Sequence, residues 1–272
     1  MRISAISTPD GAACVVTPAG ADPEAVVSPI AHVLAAPLAP GAIAEAGGRG
    51  IAPIRPGKIV AIGLNYLDHV RETGMQAPAS PLVFAKFPSS IAGPHDDIVV
   101  DPALTERVDW EVELAVVIGR EMRDVPVEQA LDHVFGYTVA NDVSARDVQL
   151  GEGQWVRGKS FDTFCPIGPE IVTPDELGDP QSLRLTTTVN GELVQDSSTS
   201  EMVFGVAELL AFCSRSFTLL PGDLLLTGTP WGCGEFAEPR RSLQDGDVVE
   251  CTVEGIGSLR NTVRFVPAAV AA

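Results

Sequence analysis

Asp109-Trp110-Glu111-Val112-Glu113-Leu114-Ala115-Val116-Val117-Ile118-Gly119 places two acids two positions apart in a segment otherwise composed like a buried strand. Side chains alternate between faces along a strand, so Glu111 and Glu113 share a face with Ala115 and Val117. Two carboxylates set against apolar surface repel each other and lose hydration. That costs roughly several kcal/mol unless a cation compensates them or one binds a proton. A bound hard metal ion meets both needs; a solvated strand edge is the plainer alternative.

A further acid stands nearby in the pattern. Gly136-Tyr137-Thr138-Val139-Ala140-Asn141-Asp142 is an apolar strand ending in Asn-Asp, and Asp142 falls where strand passes into loop, a usual place for a ligand on a rigid scaffold. Taken alone, Asp142 reads equally well as an N-cap. Three carboxylates from two strands suit Mg²⁺ or Mn²⁺, which prefer oxygen ligands and leave positions for water and substrate.

The rest of the composition narrows the function class. With 272 residues, 45% hydrophobic and 20% charged, the chain has material for a full core. A formal net charge of −18, from 36 acids against 18 bases, with no basic cluster, argues against nucleic-acid binding. Five cysteines (Cys14, Cys165, Cys213, Cys233, Cys251) without a C-x-x-C pair read as reduced, packed thiols. Four histidines (His32, His69, His95, His133) lack zinc-ligand spacing. No segment has the length of a signal peptide or a membrane span, so the expected location is the cytoplasm.

Residues 1–50 are expected to form a small N-terminal domain, a hairpin over Met1 to Thr17 followed by Ala-, Pro- and Gly-rich sequence. From Ile54 to about residue 266, strands and Pro-Gly turns alternate with few helices, predicting a mostly β fold with α, an α+β class. Val189-Asn190-Gly191-Glu192 predicts a type I′ hairpin turn, and Pro221-Gly222-Asp223 a turn into Leu224-Leu225-Leu226. Thr199 or Ser200 is placed as the cap of a helix with Met202, Val203, Val206, Leu209, Leu210 and Cys213 on its apolar side.

Other segments carry chemistry-bearing groups. In Asn65-Tyr66-Leu67-Asp68-His69-Val70-Arg71-Glu72, His69 and Glu72 stand three apart and share a face if the turn is helical. A histidine oriented by a carboxylate accepts a proton near neutral pH, although such a spacing is also that of an ordinary surface pair. The glycine- and proline-containing sequence that follows suits a lid. Gly158-Lys159-Ser160-Phe161 and Phe84-Ala85-Lys86-Phe87 set lysines in apolar surroundings, where they meet a fixed anion, either a metal-ligating carboxylate or a substrate carboxylate. Thr227-Gly228-Thr229-Pro230-Trp231-Gly232-Cys233-Gly234 is a glycine-dense loop able to bring backbone N–H groups and the Thr229 hydroxyl against a ligand, but it lacks a phosphate-loop pattern.

In this order, Gly63-Leu64-Asn65-Tyr66 with His69 and Glu72, Trp110 to Ala115, Asn141 to Asp147 with Gln149, Lys159 to Pro169, and Thr227 to Pro230 resemble the fumarylacetoacetate hydrolase family over about residues 54–266. The resemblance implies a rolled mixed β-sheet catalytic domain, usually a homodimer, with Mg²⁺ or Mn²⁺ held by Glu111, Glu113 and Asp142. It also implies a water-activating His69–Glu72 dyad on a lid, and Lys159 organising the metal ligands and a developing enolate. Lys86, Arg146, Gln149 and Thr229 are then candidates for holding substrate oxygens.

The expected substrate is a small anionic 2-oxo acid. The dyad tilts the sequence reading toward hydrolysis of a carbon–carbon bond in an acylpyruvate, giving pyruvate and a carboxylic acid. The same enolate sink also serves decarboxylation of oxaloacetate-type acids or isomerisation of 2-hydroxydienoates. A non-catalytic metal or small-molecule binding module is the rival from another class.

Overall fold

In a computed structural model the described residues are 1–8, 11–17, 24–26 and 49–267. Pro9 and Asp10, most of the Ala-, Pro- and Gly-rich stretch before residue 49, and the last five residues lie outside them.

A mixed sheet runs Glu24–Val26, Gly11–Thr17, Arg2–Thr8, Cys165–Val172, Val134–Asn141, Val112–Ile118, Leu224–Leu226, Ile59–Gly63, Leu82–Lys86, with two short strands pairing off this path. Most pairs are antiparallel, but Leu224–Leu226 runs parallel to Ile59–Gly63. The N-terminal hairpin is present, Arg2 opposite Thr17 through Thr8 opposite Gly11. Arg2–Thr8 pairs on its other side with Cys165–Val172, so the hairpin extends the sheet that carries Glu113. A second, five-stranded sheet runs Glu192–Ser198, Arg184–Val189, Val248–Val253, Gly257–Phe265, Ile98–Val100.

The central strand Val112–Ile118 is buried at every residue because both faces of the sheet are covered. Val112, Leu114, Val116 and Ile118 join a large core with the five-stranded sheet and the helix Val206–Ser216. Ala115 and Val117 pack into a second core with Ile3, Ile59, Ile167 and Leu226. A strand buried on both faces needs apolar residues throughout, and Glu113, the one acid within it, therefore stands out.

Two local expectations need correction. The predicted 109–119 strand is two: Val108–Asp109 pairs with Ser144–Ala145, and Val112–Ile118 pairs with Val134–Asn141. The break at Trp110-Glu111 persists because side chains satisfy the backbone there: the Glu111 N–H donates to Asn141 Oδ1 (3.0 Å) and the Val112 N–H to Gln195 Oε1 (3.0 Å). The helix expected to be capped by Thr199 or Ser200 begins at Val206. Ser198 Oγ accepts the Ser200 N–H and closes a separate 3-10 turn, after which Met202 is extended and bridges Tyr66. Glu208 Oε2 and Gln181 Oε1 accept the first N–H groups of the true helix. The other turns agree with expectation: Asn190 and Gly191 both have positive φ, 53° and 83°, between Val189 and Glu192.

Candidate active site

Strand register brings the three acids together. Val112 lies opposite Asn141, so Glu111 and Asp142 meet at the sheet's end, tied by Asp142 N–H to Glu111 O at 2.9 Å. Glu113 follows on the same face as Glu111, and carboxylate oxygens of Glu111, Glu113 and Asp142 all lie within 4.8 Å of one another, buried.

Three buried cations surround them. Lys159, at the end of the short helix Val156–Lys159, donates to Glu111 Oε2 (2.6 Å) and Asp142 Oδ2 (2.9 Å). Lys86, the last residue of its strand, donates to Asp142 Oδ1 (2.6 Å) and to the backbone carbonyl of Lys159. Arg146, opening the helix Arg146–Glu152, pairs with Glu111 Oε1 (2.6 Å) and Asp109 Oδ2 (2.8 Å) and reaches Gln149 Oε1 (3.0 Å).

Burial pushes the Glu111 carboxyl up, but Lys159 and Arg146 overcome it and hold the group at about 2. Glu113 pairs directly with no cation: burial first, then Asp142 and Glu111, push it well above the usual carboxylate range, against the charge of Lys159 and one backbone N–H from Gly228 at 2.7 Å. Asp109, Glu111, Glu113 and Asp142 face Lys86, Arg146 and Lys159, four acids against three bases, so the raised Glu113 carboxyl balances the cluster by keeping its proton and ionising it leaves one negative charge over. An all-oxygen cluster with a surplus negative charge fits a hard divalent cation, which would sit against Glu113.

The helix Leu67–Thr73 carries the second element. His69 Nδ1 lies 2.7 Å from Glu72 Oε2, and Glu72 Oε1 accepts the Gly232 N–H at 2.8 Å. Phe236 packs edge-on against the imidazole at 5.5 Å. His69, Glu111, Glu113, Arg146, Gln149, Lys159 and Thr229 all line one pocket of about 100 Å³, together with Met75, Trp155 and Phe236.

Lys86 is the departure from the sequence-based assignment. It was expected to hold substrate oxygens, yet it is fully buried behind Asp142, where its ammonium group offsets that carboxylate. Thr229 lines the pocket, but its hydroxyl already donates to Val112 O (3.0 Å) and accepts from Gln195 Nε2 (3.0 Å).

The glycine-dense loop also works differently from expectation. Its N–H groups aim at the site's carboxylates rather than outward at a ligand: Gly228 to Glu113, Gly232 to Glu72, Gly234 to Asp109. Gly228 and Gly232 have φ near +97° and +98°, and a Cβ on Gly232 would stand 2.1 Å from Val194 O, so the approach requires glycine.

Gln195 escaped the sequence reading. Fully buried on a strand of the second sheet, it accepts from Val112 N–H and Thr187 Oγ1 and donates to Thr229 Oγ1 and Pro230 O, clamping the acidic strand to the glycine loop. A glutamine in Glu192-Leu193-Val194-Gln195-Asp196 carries no local signal of that role. Cys165, Cys213, Cys233 and Cys251 are buried thiols without disulfides; burial pushes Cys165, Cys213 and Cys251 up to about 12 and Cys233 well above its ordinary value. Cys14's side chain lies outside the described residues. Among the described residues no helix is long and apolar enough to cross a membrane.

Residues 58–264 match the family model described as fumarylacetoacetate (FAA) hydrolase C-terminal. The chain is 50% identical over 216 residues to the mitochondrial oxaloacetate tautomerase FAHD2B of Bos taurus, covering 78% of this chain and 68% of the relative. Its fold superposes on a fumarylacetoacetate hydrolase from the psychrophile Exiguobacterium antarcticum with a TM-score of 0.88 at 39% identity, covering 98% of this chain and 100% of that one. A 2-hydroxyhepta-2,4-diene-1,7-dioate isomerase from Mycobacterium marinum superposes with a TM-score of 0.77 at 39% identity, covering 97% and 98% of the two chains. With the family model matching most of its length, and with these relatives, the chain belongs to the fumarylacetoacetate hydrolase family of enzymes.

Proposed function

We propose that this protein interconverts the enol and keto forms of a small 2-oxo diacid of the oxaloacetate class. The observation that carries the reading is the position of His69: its Nδ1 is held by Glu72, and its ring lines the pocket into which Glu111 and Glu113 also open. With Nδ1–H donated to Glu72, the Nε2 lone pair is the proton acceptor. In the keto-to-enol direction His69 takes a proton from the carbon next to the 2-oxo group, and negative charge moves onto the 2-oxo oxygen, which takes a proton from solvent while the imidazolium gives its own proton to solvent and His69 ends neutral. Glu72 stabilises the imidazolium formed. Lys159 and Arg146 keep Glu111 ionised, and the Gln149 amide NH₂, its oxygen engaged by Arg146, is the donor left for a substrate carboxylate. Glu111, Glu113 and Asp142 would hold Mg²⁺ or Mn²⁺, which supplies positive charge beside the oxygen where the enolate develops.

The sequence alone tilts toward acylpyruvate hydrolysis. What moves the balance is that a relative 50% identical carries the name of an oxaloacetate tautomerase and a 39% identical one that of an isomerase, whereas the relative named as a hydrolase is 39% identical. Hydrolysis stays as the second reading because the His69–Glu72 pair is equally able to take a proton from water. The same proposal takes a cytoplasmic homodimer as the working form, residues 1–50 as its N-terminal domain and 54–266 as its catalytic domain.

The test offers the Mg²⁺-loaded protein enol-oxaloacetate and acetylpyruvate separately, following loss of enol absorbance and release of pyruvate. Enol loss above the buffer rate that falls about 100-fold or more in His69→Ala is the expected result. Pyruvate from acetylpyruvate without enol loss would select hydrolysis, and pyruvate from oxaloacetate would select decarboxylation. Mg²⁺ binding with no turnover of either compound would leave a binding module.

A further inference from the structure

Among the described residues a second set of metal-competent atoms converges beside the acid triad: those of His69, Glu72 and Cys233, all within 4.8 Å of one another. Cys233 lies in the glycine-dense loop, fully buried, with Pro230 O as its Sγ neighbour at 4.0 Å. The tautomerisation proposed above has no use for this thiol. We propose that His69, Glu72 and Cys233 form a separate site for a soft divalent cation of the Zn²⁺ or Cd²⁺ kind, whose occupation inhibits the enzyme by engaging the dyad. The inhibition rests on the catalytic reading of the dyad; the site itself rests on geometry alone.

Imidazole, carboxylate and thiolate are a donor set that selects zinc-like ions over Mg²⁺, which takes oxygen. Tetrahedral coordination at about 2.0–2.3 Å puts ligand atoms roughly 3.3–3.7 Å apart, so the existing cluster closes with shifts of about 1 Å or less. Binding breaks the Cys233 S–H bond, forms a metal–sulfur bond and releases one proton to solvent. The imidazole stays neutral. One thiolate and one carboxylate then balance the cation's two charges, which suits a buried position. Arg146 also bears on Cys233, but its charge is already met by Asp109 and Glu111. Entry is through the pocket, since His69 lines its wall. Occupation competes with the 2.7 Å contact between His69 Nδ1 and Glu72 and draws both groups away from proton transfer.

The experiment titrates protein held in saturating Mg²⁺ with Cd²⁺, reading the ultraviolet thiolate-to-cadmium charge-transfer band and enol loss in parallel. Expected are one equivalent of band and inhibition in the wild type, both lost in Cys233→Ser. That variant should keep wild-type turnover without Cd²⁺, and Zn²⁺ inhibition should weaken at least about tenfold in it. No band in the wild type, or a band surviving in Cys233→Ser, overturns the site. If Cys233→Ser does not fold, Glu72→Gln carries the test, and unchanged Cd²⁺ affinity there overturns it equally. A band lost in Cys233→Ser with turnover indifferent to Cd²⁺ upholds the site and overturns the catalytic assignment of the dyad.

Discussion

Replacing Lys159 with methionine isolates the electrostatics on which the acid cluster depends, because methionine keeps much of the stem and removes the ammonium group. In the wild type Lys159 lies 2.6 Å from Glu111 and 2.9 Å from Asp142, all three buried. Against the cost of burial, Lys159 and Arg146 hold Glu111 at about 2 rather than 4.5. At roughly 1.36 kcal/mol per pH unit that gap represents about 3 kcal/mol of folding stability. Asp142 loses one of its two lysine partners as well, and removing one side of a buried pair typically costs about 3–5 kcal/mol. We therefore expect Lys159→Met to lose about 3–5 kcal/mol at pH 7 in EDTA, measured by urea unfolding. A carboxyl whose folded pKa is depressed stabilises the protein above its ordinary pKa and loses that contribution as pH falls through the folded value. The difference between wild type and variant should thus be full at pH 7 and shrink progressively as pH falls from about 4.5 toward about 2. Mg²⁺ should narrow it at pH 7 by replacing the missing positive charge. A loss below about 1 kcal/mol, or one equally large at pH 7 and pH 4, refutes the argument.

Gln195→Leu should cost about 3 kcal/mol or more by stranding the Val112 N–H, taking the acceptor from the Thr187 hydroxyl and removing the donor to Thr229 Oγ1, and should weaken Mg²⁺ binding about 10–100-fold; calorimetric titration showing unchanged affinity would remove Gln195 from the site's support. Gly232→Ala should destabilise by about 3 kcal/mol or more and depress turnover, since the added Cβ collides with Val194 O and displaces the N–H that fixes Glu72; a thermal melt within a degree of wild type contradicts this. Asp147, held below the ordinary carboxylate range by Thr105 and backbone N–H groups despite partial burial, should make Asp147→Asn less stable at pH 7, with the difference vanishing as pH falls below about 3.9; a difference that grows on acidification is the contrary outcome.

The acid triad and the dyad were legible in the chain because their signals are local. Two glutamates in a segment that is otherwise apolar conflict with burial whatever packs against them, and Asp142 follows directly on the strand paired with it. His69 and Glu72 need only one helical turn to meet. The Asn-Gly hairpin and the apolar spacing of Val206, Leu209, Leu210 and Cys213 likewise depend on neighbours in sequence. Helix boundaries were less legible: nothing local distinguishes a cap at Thr199 from a 3-10 turn, and Gln181 and Tyr66, distant in sequence, decide it.

Contacts across the fold decided the rest. Lys86 and Lys159 look alike in sequence, each a lysine among aromatic residues, yet one is sealed behind Asp142 and the other lines the pocket. Only the packing of the Leu82–Lys86 strand under the active site makes that difference. The loop glycines offer the same N–H groups to a ligand or to the protein's own carboxylates, and the position of Glu72, Glu113 and Asp109 settles which. Gln195 and Cys233 acquire their places from strands and loops far along the chain. Alternation and spacing act through bonds, over a few residues, and so can be read in one dimension; charge compensation acts through space, and its partners become known only when the sheet closes.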